Sequence, residues 1–173
     1  SELCGSLEPG KRADLILDLL MEIAAPRGIY CRPDEEAGEK ESMEPRRGPA
    51  RGLAPDGPVE ILCDGLRFLV DLAAGQKTGF FLDQRENRLA CARWMRGRTV
   101  LDAFCYTGAF AVTVARLGEA ARVLAVDRSE PALALARRNL ELNGVANVEL
   151  QAAPVADALR EYRKAGRRFG AVI

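Results

Sequence analysis

The sequence predicts an α/β fold in which a parallel sheet is covered by helices on both faces, preceded by a small α+β region with a β-hairpin. Three observations carry that prediction. From Arg98 to Ile173 apolar β-type runs alternate with helical patterns in the order βαβαβαβ, and such alternation buries a parallel sheet between helices. Ahead of it, two β-type runs flank Asp64-Gly65, a dipeptide suited to the left-handed dihedrals of a two-residue hairpin turn. Earlier still, an amphipathic stretch leads toward a proline-rich acidic segment with no apolar period.

Each element follows from local chemistry. Leu15, Ile16, Leu19, Leu20 and Ile23 recur at helical spacing between Lys11 and Ala24, with Pro26 as a stop. Gly28 to Cys31 reads as a short strand. The segment 33–58 holds five prolines and six acids between Asp34 and Glu44, and it is expected to be a long loop or a disordered segment. Val59 to Cys63 and Leu66 to Asp71 form the hairpin. After a glycine-containing turn over Gly75 to Phe81, Asp83 to Met95 reads as a helix with Asp83 as N-cap.

The alternating region follows as strand Thr99 to Ala103, helix Ala109 to Leu117, strand Arg122 to Asp127, helix Glu130 to Asn143, strand Asn147 to Gln151, helix Val155 to Ala165 and strand Phe169 to Ile173. The second of these helices is the best punctuated. Ser129 stands at its N-cap, Pro131 in its first turn and Asn143-Gly144 at its end. The domain organisation expected is 1–75 as the small α+β region and 76–173 as one half of a nucleotide-binding domain.

Composition excludes several chemistries. The chain has 173 residues and no histidine, which removes imidazole general bases, Ser-His-Asp and Cys-His nucleophile pairs and histidine metal sites. Its five cysteines, Cys4, Cys31, Cys63, Cys91 and Cys105, lie too far apart for a CxxC pair, and no metal site is expected. Neither a membrane-length apolar run nor a basic-then-apolar leader is present, so the expectation is a soluble cytoplasmic protein with no membrane partner. Net charge is zero, but residues 1–86 carry −6 and residues 87–173 carry +6, and 21 of the 25 basic residues are Arg. Arginine has the planar fork that suits phosphate and carboxylate.

In an open parallel sheet the ligand lies beyond the carboxyl ends of the strands. After the first strand comes Asp102-Ala-Phe-Cys-Tyr-Thr-Gly108, in which Gly108 lets the backbone turn into a helix whose N-terminal amides face a ligand. The second strand ends at Asp127, an acid able to accept both vicinal hydroxyls of a ribose. Dinucleotides and S-adenosylmethionine are both bound on this plan. A dinucleotide fold wants G-x-G-x-x-G, whereas this turn has one glycine followed by Ala109. An acid at Asp102 would also repel a pyrophosphate, yet it can hold a methionine ammonium. Charge therefore favours S-adenosylmethionine.

The stretch Gly75-Gln-Lys-Thr-Gly-Phe-Phe-Leu-Asp-Gln-Arg-Glu-Asn-Arg88 is polar, with two glycines and two phenylalanines, as a binding loop would be. Together with D-A-F-C-Y-T-G and Asp127, it resembles the class I S-adenosylmethionine-dependent methyltransferases of bacterial ribosomal RNA, specifically the 23S cytosine carbon-5 group that carries an N-terminal RNA-binding PUA domain. The resemblance runs from about Ile23 to the last residue and implies a Rossmann-like methyltransferase sheet, of which 76–173 would be the N-terminal half. It implies that Asp102, Phe104, Tyr106, Thr107 and Gly108 surround the methionine end of the cofactor and that Asp127 holds the ribose. Gln84 and Arg85 would close over the cofactor, with the guanidinium suited to the methionine carboxylate. The implied partner is ribosomal RNA, and the implied chemistry is attack of a cysteine thiolate on cytosine carbon 6 with methyl transfer to carbon 5.

Two positions depart from the family pattern. Pro154 stands after the third strand, where this fold commonly supplies an acid to the adenine amino group, leaving backbone groups or Asp157 as substitutes. The Asp-Pro-Pro catalytic loop and nucleophilic cysteine expected beyond Phe169-Gly-Ala-Val-Ile173 are not in this sequence, nor is the PUA domain. No catalytic residue is therefore assigned, Cys105 is expected to be structural, and the sequence is expected to be a segment of a longer enzyme, inactive alone. Two other readings remain open at this level. One is a nonenzymatic RNA-binding module, suggested by the arginines; the other is an NAD-linked oxidoreductase domain, suggested by the βαβ pattern.

Overall fold

The computed structural model describes residues 9–32, 48–76 and 78–173. In chain order the elements are α1 (Pro9–Ala24), β1 (Gly28–Cys31), β2 (Gly48–Gly52), β3 (Val59–Cys63), β4 (Leu66–Val70), a 3-10 turn (Leu82–Gln84), α2 (Arg85–Ala92), β5 (Thr99–Ala103), α3 (Ala109–Arg116), β6 (Arg122–Asp127), α4 (Glu130–Leu142), β7 (Val148–Ala152), α5 (Val155–Lys164) and β8 (Ala171–Val172). They group into two compact units, Ser1–Pro58 with Asp71–Gly79 and Val59–Val70 with Phe80–Ile173.

In the first unit, β1 and β2 pair antiparallel with a bulge between Ile29 and Tyr30. Arg51 of β2 ties this ribbon to α1 by reaching Asp18 at 2.7 Å and Asp14 at 3.1 Å, acids one helical turn apart on the same face. Strand β2 corrects the expectation of an unstructured loop over 33–58. Its sequence, Gly-Pro-Ala-Arg-Gly, has no apolar alternation, and Pro49 cannot donate to a ladder, so only the pairing with β1 makes it a strand. Cys4 and residues 33–47 lie outside the described residues. The apolar stripe of α1 faces outward: Leu15, Ile16, Leu19 and Leu20 are exposed, Ile23 reaches 80% exposure, and Leu17 is the one buried residue among those of the helix whose burial is described.

The second unit is the α/β body. Its sheet has the order β7-β6-β5-β8, parallel throughout. Successive side chains on a strand point to opposite faces, and here both faces are covered. Val100, Val123 and Ala125 face one layer with Ala111, Val114 and Leu133, while Leu101, Leu124 and Val126 face the other with Val155, Ala158 and Tyr162. Burial on two sides explains why β6 reads as the nearly unbroken apolar run Val-Leu-Ala-Val. The hairpin β3–β4 pairs Val59 with Val70 through Cys63 with Leu66, around Asp64 and Gly65, both at positive φ. It belongs to this unit, anchored on α4 by Asn143, which accepts the Arg67 N–H and donates to the Arg67 carbonyl.

The Ser129 cap is as expected, its hydroxyl accepting the Ala132 N–H at 3.3 Å. Asp83 is not the cap of its helix. It lies inside the 3-10 turn, Gln84 takes the N-cap position without a side-chain bond, and the helix ends at Ala92 rather than Met95. The 3-10 turn places Asp83 one residue before the N-cap, and its carboxylate accepts from the Gln84 side-chain amide.

Candidate cofactor site

The sheet order puts β6 and β7 on one side of β5 and β8 on the other. The chain therefore reverses direction across the sheet beside β5, and the crevice at its carboxyl end is the place where an α/β sheet binds a ligand. The loop leaving β5 there is Phe104 to Gly108. Three of its five residues have left-handed backbones: Phe104 at φ 62°, Tyr106 at φ 49° and Gly108 at φ 77°. Phe104 and Tyr106 each carry a strain of about 1–2 kcal/mol that the surrounding bonds must hold.

Those bonds are specific. The Cys105 N–H donates to the Val126 carbonyl at 3.0 Å, and the Gly108 N–H to the Cys105 carbonyl at 2.8 Å. Tyr106 donates its N–H to Oδ2 of Asp127 at 2.9 Å, and Ser129 donates to Oδ1 at 2.9 Å. Each Asp127 oxygen thus keeps a lone pair for a further donor. Gly108 is the N-cap of α3, and a Cβ there would lie 3.2 Å from the Ala136 Cβ, so glycine serves both the left-handed turn and the close approach to α4.

Asp102, at the end of β5, is only 2% exposed. The Ala111 backbone N–H bonds its carboxylate, while Oδ2 has no partner among the described residues. Burial pushes its pKa to about 7 against that backbone bond, with the charge of Asp127 adding to the rise. A buried acid with an unpaired oxygen beside a second acid is a receptor for a cation donor. An ammonium group would satisfy the oxygen and return the carboxylate to its charged form.

Next to this loop is a pocket of about 110 Å³ lined by Phe80, Phe81, Gln84, Arg88, Phe104, Cys105, Tyr106, Thr107, Ala109 and Phe110. Of the eight residues expected from the sequence, Gln84, Phe104, Tyr106 and Thr107 line it, while Asp102, Gly108 and Asp127 frame the turn that forms one wall. Arg85 is elsewhere, its guanidinium bonded to Asp64 and Glu86. Phe80 packs on Phe68 in the core at a centroid distance of 5.2 Å, and Phe81 meets Tyr106 edge-on at 5.7 Å. Phe104 is 74% exposed. Burial, and after it the charges of Asp102 and Asp127, push the Cys105 thiol above its ordinary range, a poor setting for a nucleophilic thiolate. Asp157, a candidate substitute for the adenine acid, pairs with Arg160.

Two residues of this region escaped the sequence reading. Arg88 lines the pocket although only 2% exposed. Asn139, fully buried, accepts the Leu69 N–H at 2.7 Å and donates to the Thr107 carbonyl at 2.9 Å, joining the hairpin to the loop. Helical phase gives a signal for Arg88, since Phe81, Gln84 and Arg88 are three and four residues apart. For Asn139 the only signal is a polar residue on an otherwise apolar helix face.

Comparison with known proteins agrees with this geometry. Residues 52–167 match the family of S-adenosylmethionine-dependent methyltransferases. The ribosomal RNA large subunit methyltransferase I of Aeromonas hydrophila is 40% identical over 176 residues, covering 99% of this chain and 44% of the relative. That of Erwinia tasmaniensis is 43% identical over 147 residues, covering 84% of this chain and 37% of the relative. The chain thus spans less than half the length of these relatives. Among solved structures, an S-adenosylmethionine-dependent methyltransferase from Streptococcus mutans aligns with a TM-score of 0.67 at 31% identity, over 72% of this chain and 34% of that one. A methyltransferase solved with S-adenosylhomocysteine aligns equally well, at 31% identity and a TM-score of 0.67 over 72% of this chain and 33% of that one. These likenesses favour neither a nonenzymatic RNA-binding module nor an NAD-linked oxidoreductase. The matched span takes in the hairpin, the pocket, Asp102 and Asp127, and the chain belongs to the S-adenosylmethionine-dependent methyltransferase family.

Proposed function

We propose that this chain supplies the cofactor-binding part of a cytoplasmic methyltransferase that modifies carbon 5 of a cytosine in large-subunit ribosomal RNA, with residues 76–173 as the N-terminal half of the methyltransferase domain. The observation that carries the cofactor assignment is the buried Asp102 carboxylate with its unpaired Oδ2, beside the loop that Asp127 holds. Asp102 receives the methionine ammonium. Asp127 accepts the ribose hydroxyls with its remaining lone pairs. Gln84, Phe104, Tyr106, Thr107 and Gly108 enclose the methionine end, while Arg85, held by Asp64 and Glu86, stands outside the pocket lining. When bound, the cofactor supplies the methyl group. The RNA assignment rests on the ribosomal RNA methyltransferases to which the chain is similar and on the net charge of +6 over residues 87–173, which favours phosphate.

Calorimetry tests the cofactor reading. S-adenosylhomocysteine is expected to bind and NAD is not, and Asp127→Ala is expected to weaken S-adenosylhomocysteine at least about tenfold. Binding of NAD in place of S-adenosylhomocysteine would overturn it. The substrate reading is tested in cells of the source organism, where deletion of the gene is expected to remove one 5-methylcytosine from large-subunit ribosomal RNA by nucleoside mass spectrometry. An unchanged 5-methylcytosine content would overturn the cytosine assignment.

A further inference from the structure

Arg88, only 2% exposed, is buried as deeply as Asp102, and its partners do not balance its charge. Its Nη1 donates to the Phe81 carbonyl at 2.9 Å, Nη2 approaches the Cys63 thiol at 3.6 Å, and its Cζ lies 4.8 Å from the centre of the Phe80 ring. A carbonyl, a thiol and a ring face are all neutral. The acid whose charge reaches Arg88 is Asp64, and Asp64 accepts its short hydrogen bond from Arg85. Among the described residues no carboxylate is within ion-pair distance of Arg88. A cation removed from water without an anion is strongly unfavourable, so the site calls for an anion that the described residues do not supply.

The pocket says where that anion enters. Phe81, Gln84 and Arg88 share one side of the turn and helix and together line it, so Arg88 borders the pocket. A guanidinium has five N–H groups in a planar fork, of which the neutral partners take two, leaving donors for a planar two-oxygen anion. The same pocket is lined by the loop Phe104 to Thr107, tied to Asp127 through Tyr106. Sites for whole drug-sized ligands enclose about 300–1,000 Å³; at about 110 Å³ this pocket matches a fragment.

We propose that Arg88 binds the carboxylate of the cofactor's amino-acid end, in the place that the sequence suggested for Arg85. The proposal rests on the cofactor reading above and refines it. The zwitterionic end is then read by two opposite buried charges, Asp102 taking the ammonium and Arg88 the carboxylate. Gln84, four residues before Arg88, adds an amide to the same wall.

The experiment separates the two readings. Calorimetry is run on the wild-type chain with S-adenosylhomocysteine and with its carboxamide, which keeps the ammonium, sulfur and nucleoside but lacks the carboxylate charge. The wild type is expected to bind the carboxamide about 10–100-fold more weakly. Arg88→Met is expected to bind S-adenosylhomocysteine about as weakly as the wild type binds the carboxamide and to lose the discrimination, and Arg88→Lys to recover part of it. Arg85→Met is expected to keep it. Equal binding of the two ligands by the wild type overturns the role of Arg88 while leaving the cofactor reading intact, and loss of discrimination in Arg85→Met instead of Arg88→Met does the same. Failure of the wild type to bind S-adenosylhomocysteine overturns both. Should Arg88→Met fail to fold by thermal melting, the wild-type pair of titrations and the Lys variant decide.

Discussion

The backbone N–H of Tyr106 donates to the carboxylate of Asp127 at 2.9 Å, joining the loop after one strand to the end of the next. The acid proposed to hold the ribose is therefore also the acid that keeps the strained loop in shape, and its two duties can be separated. Asp127→Asn keeps one oxygen acceptor and loses the other. It is expected to destabilise the chain by about 1–3 kcal/mol in urea titration, the cost of an unpaired backbone donor, and to weaken S-adenosylhomocysteine further than that strain alone. A variant with wild-type stability would show that the Tyr106 and Ser129 bonds contribute nothing.

Asp102 predicts a pH dependence whose sign is fixed. Its pKa is raised from 3.8 to about 7 in the folded chain, so between about pH 4 and pH 7 the native state holds a proton that the unfolded state has released. Stability from this group is full below about pH 4, falls as pH rises toward 7 and levels off above it. The decline amounts to a few kcal/mol, at about 1.4 kcal/mol per unit. Asp102→Asn is expected to remove it, and a wild-type minus variant difference that stays flat over this range, measured by urea unfolding without ligand, would contradict the burial argument.

Asn139→Leu tests the link between hairpin and loop. The substitution leaves the Leu69 N–H and the Thr107 carbonyl buried without partners, at an expected cost of about 2–5 kcal/mol. Faster hydrogen exchange at Leu69 should report it. Exchange protection unchanged at that amide would show that the bond is dispensable.

Gly108→Ala places a Cβ at a φ of 77° and within 3.2 Å of Ala136. The expected loss is about 1–2 kcal/mol from the left-handed backbone, plus a displaced start of α3. Circular dichroism melts give the first, and weakened S-adenosylhomocysteine binding by calorimetry gives the second.

Much of the α/β body was legible in the sequence. Strands Thr99 to Ala103 and Arg122 to Asp127 and the Ser129 cap appear as read, because two-sided burial imposes long apolar runs and caps obey local hydrogen-bond rules. The elements that were missed or misplaced depend on a distant partner or on an irregular turn that residue type alone does not reveal. Strand β2 exists through β1, and the start of α2 is set by the turn at Phe81 and Leu82.

The same division runs through the site. Sequence alone marked the acid, the glycine turn and the second acid, since the chain positions they need are fixed by the βαβ repeat. Tertiary structure decided which arginine faces the pocket: Asp64 and Glu86 hold Arg85 outside, while Arg88 is drawn under Phe80 beside a thiol and a carbonyl. It also brought Asn139 between Leu69 and Thr107, residues 70 and 32 positions away. Local rules set an element's type and ends; the charge and hydrogen-bond balance of a buried group is set by neighbours that only folding brings together.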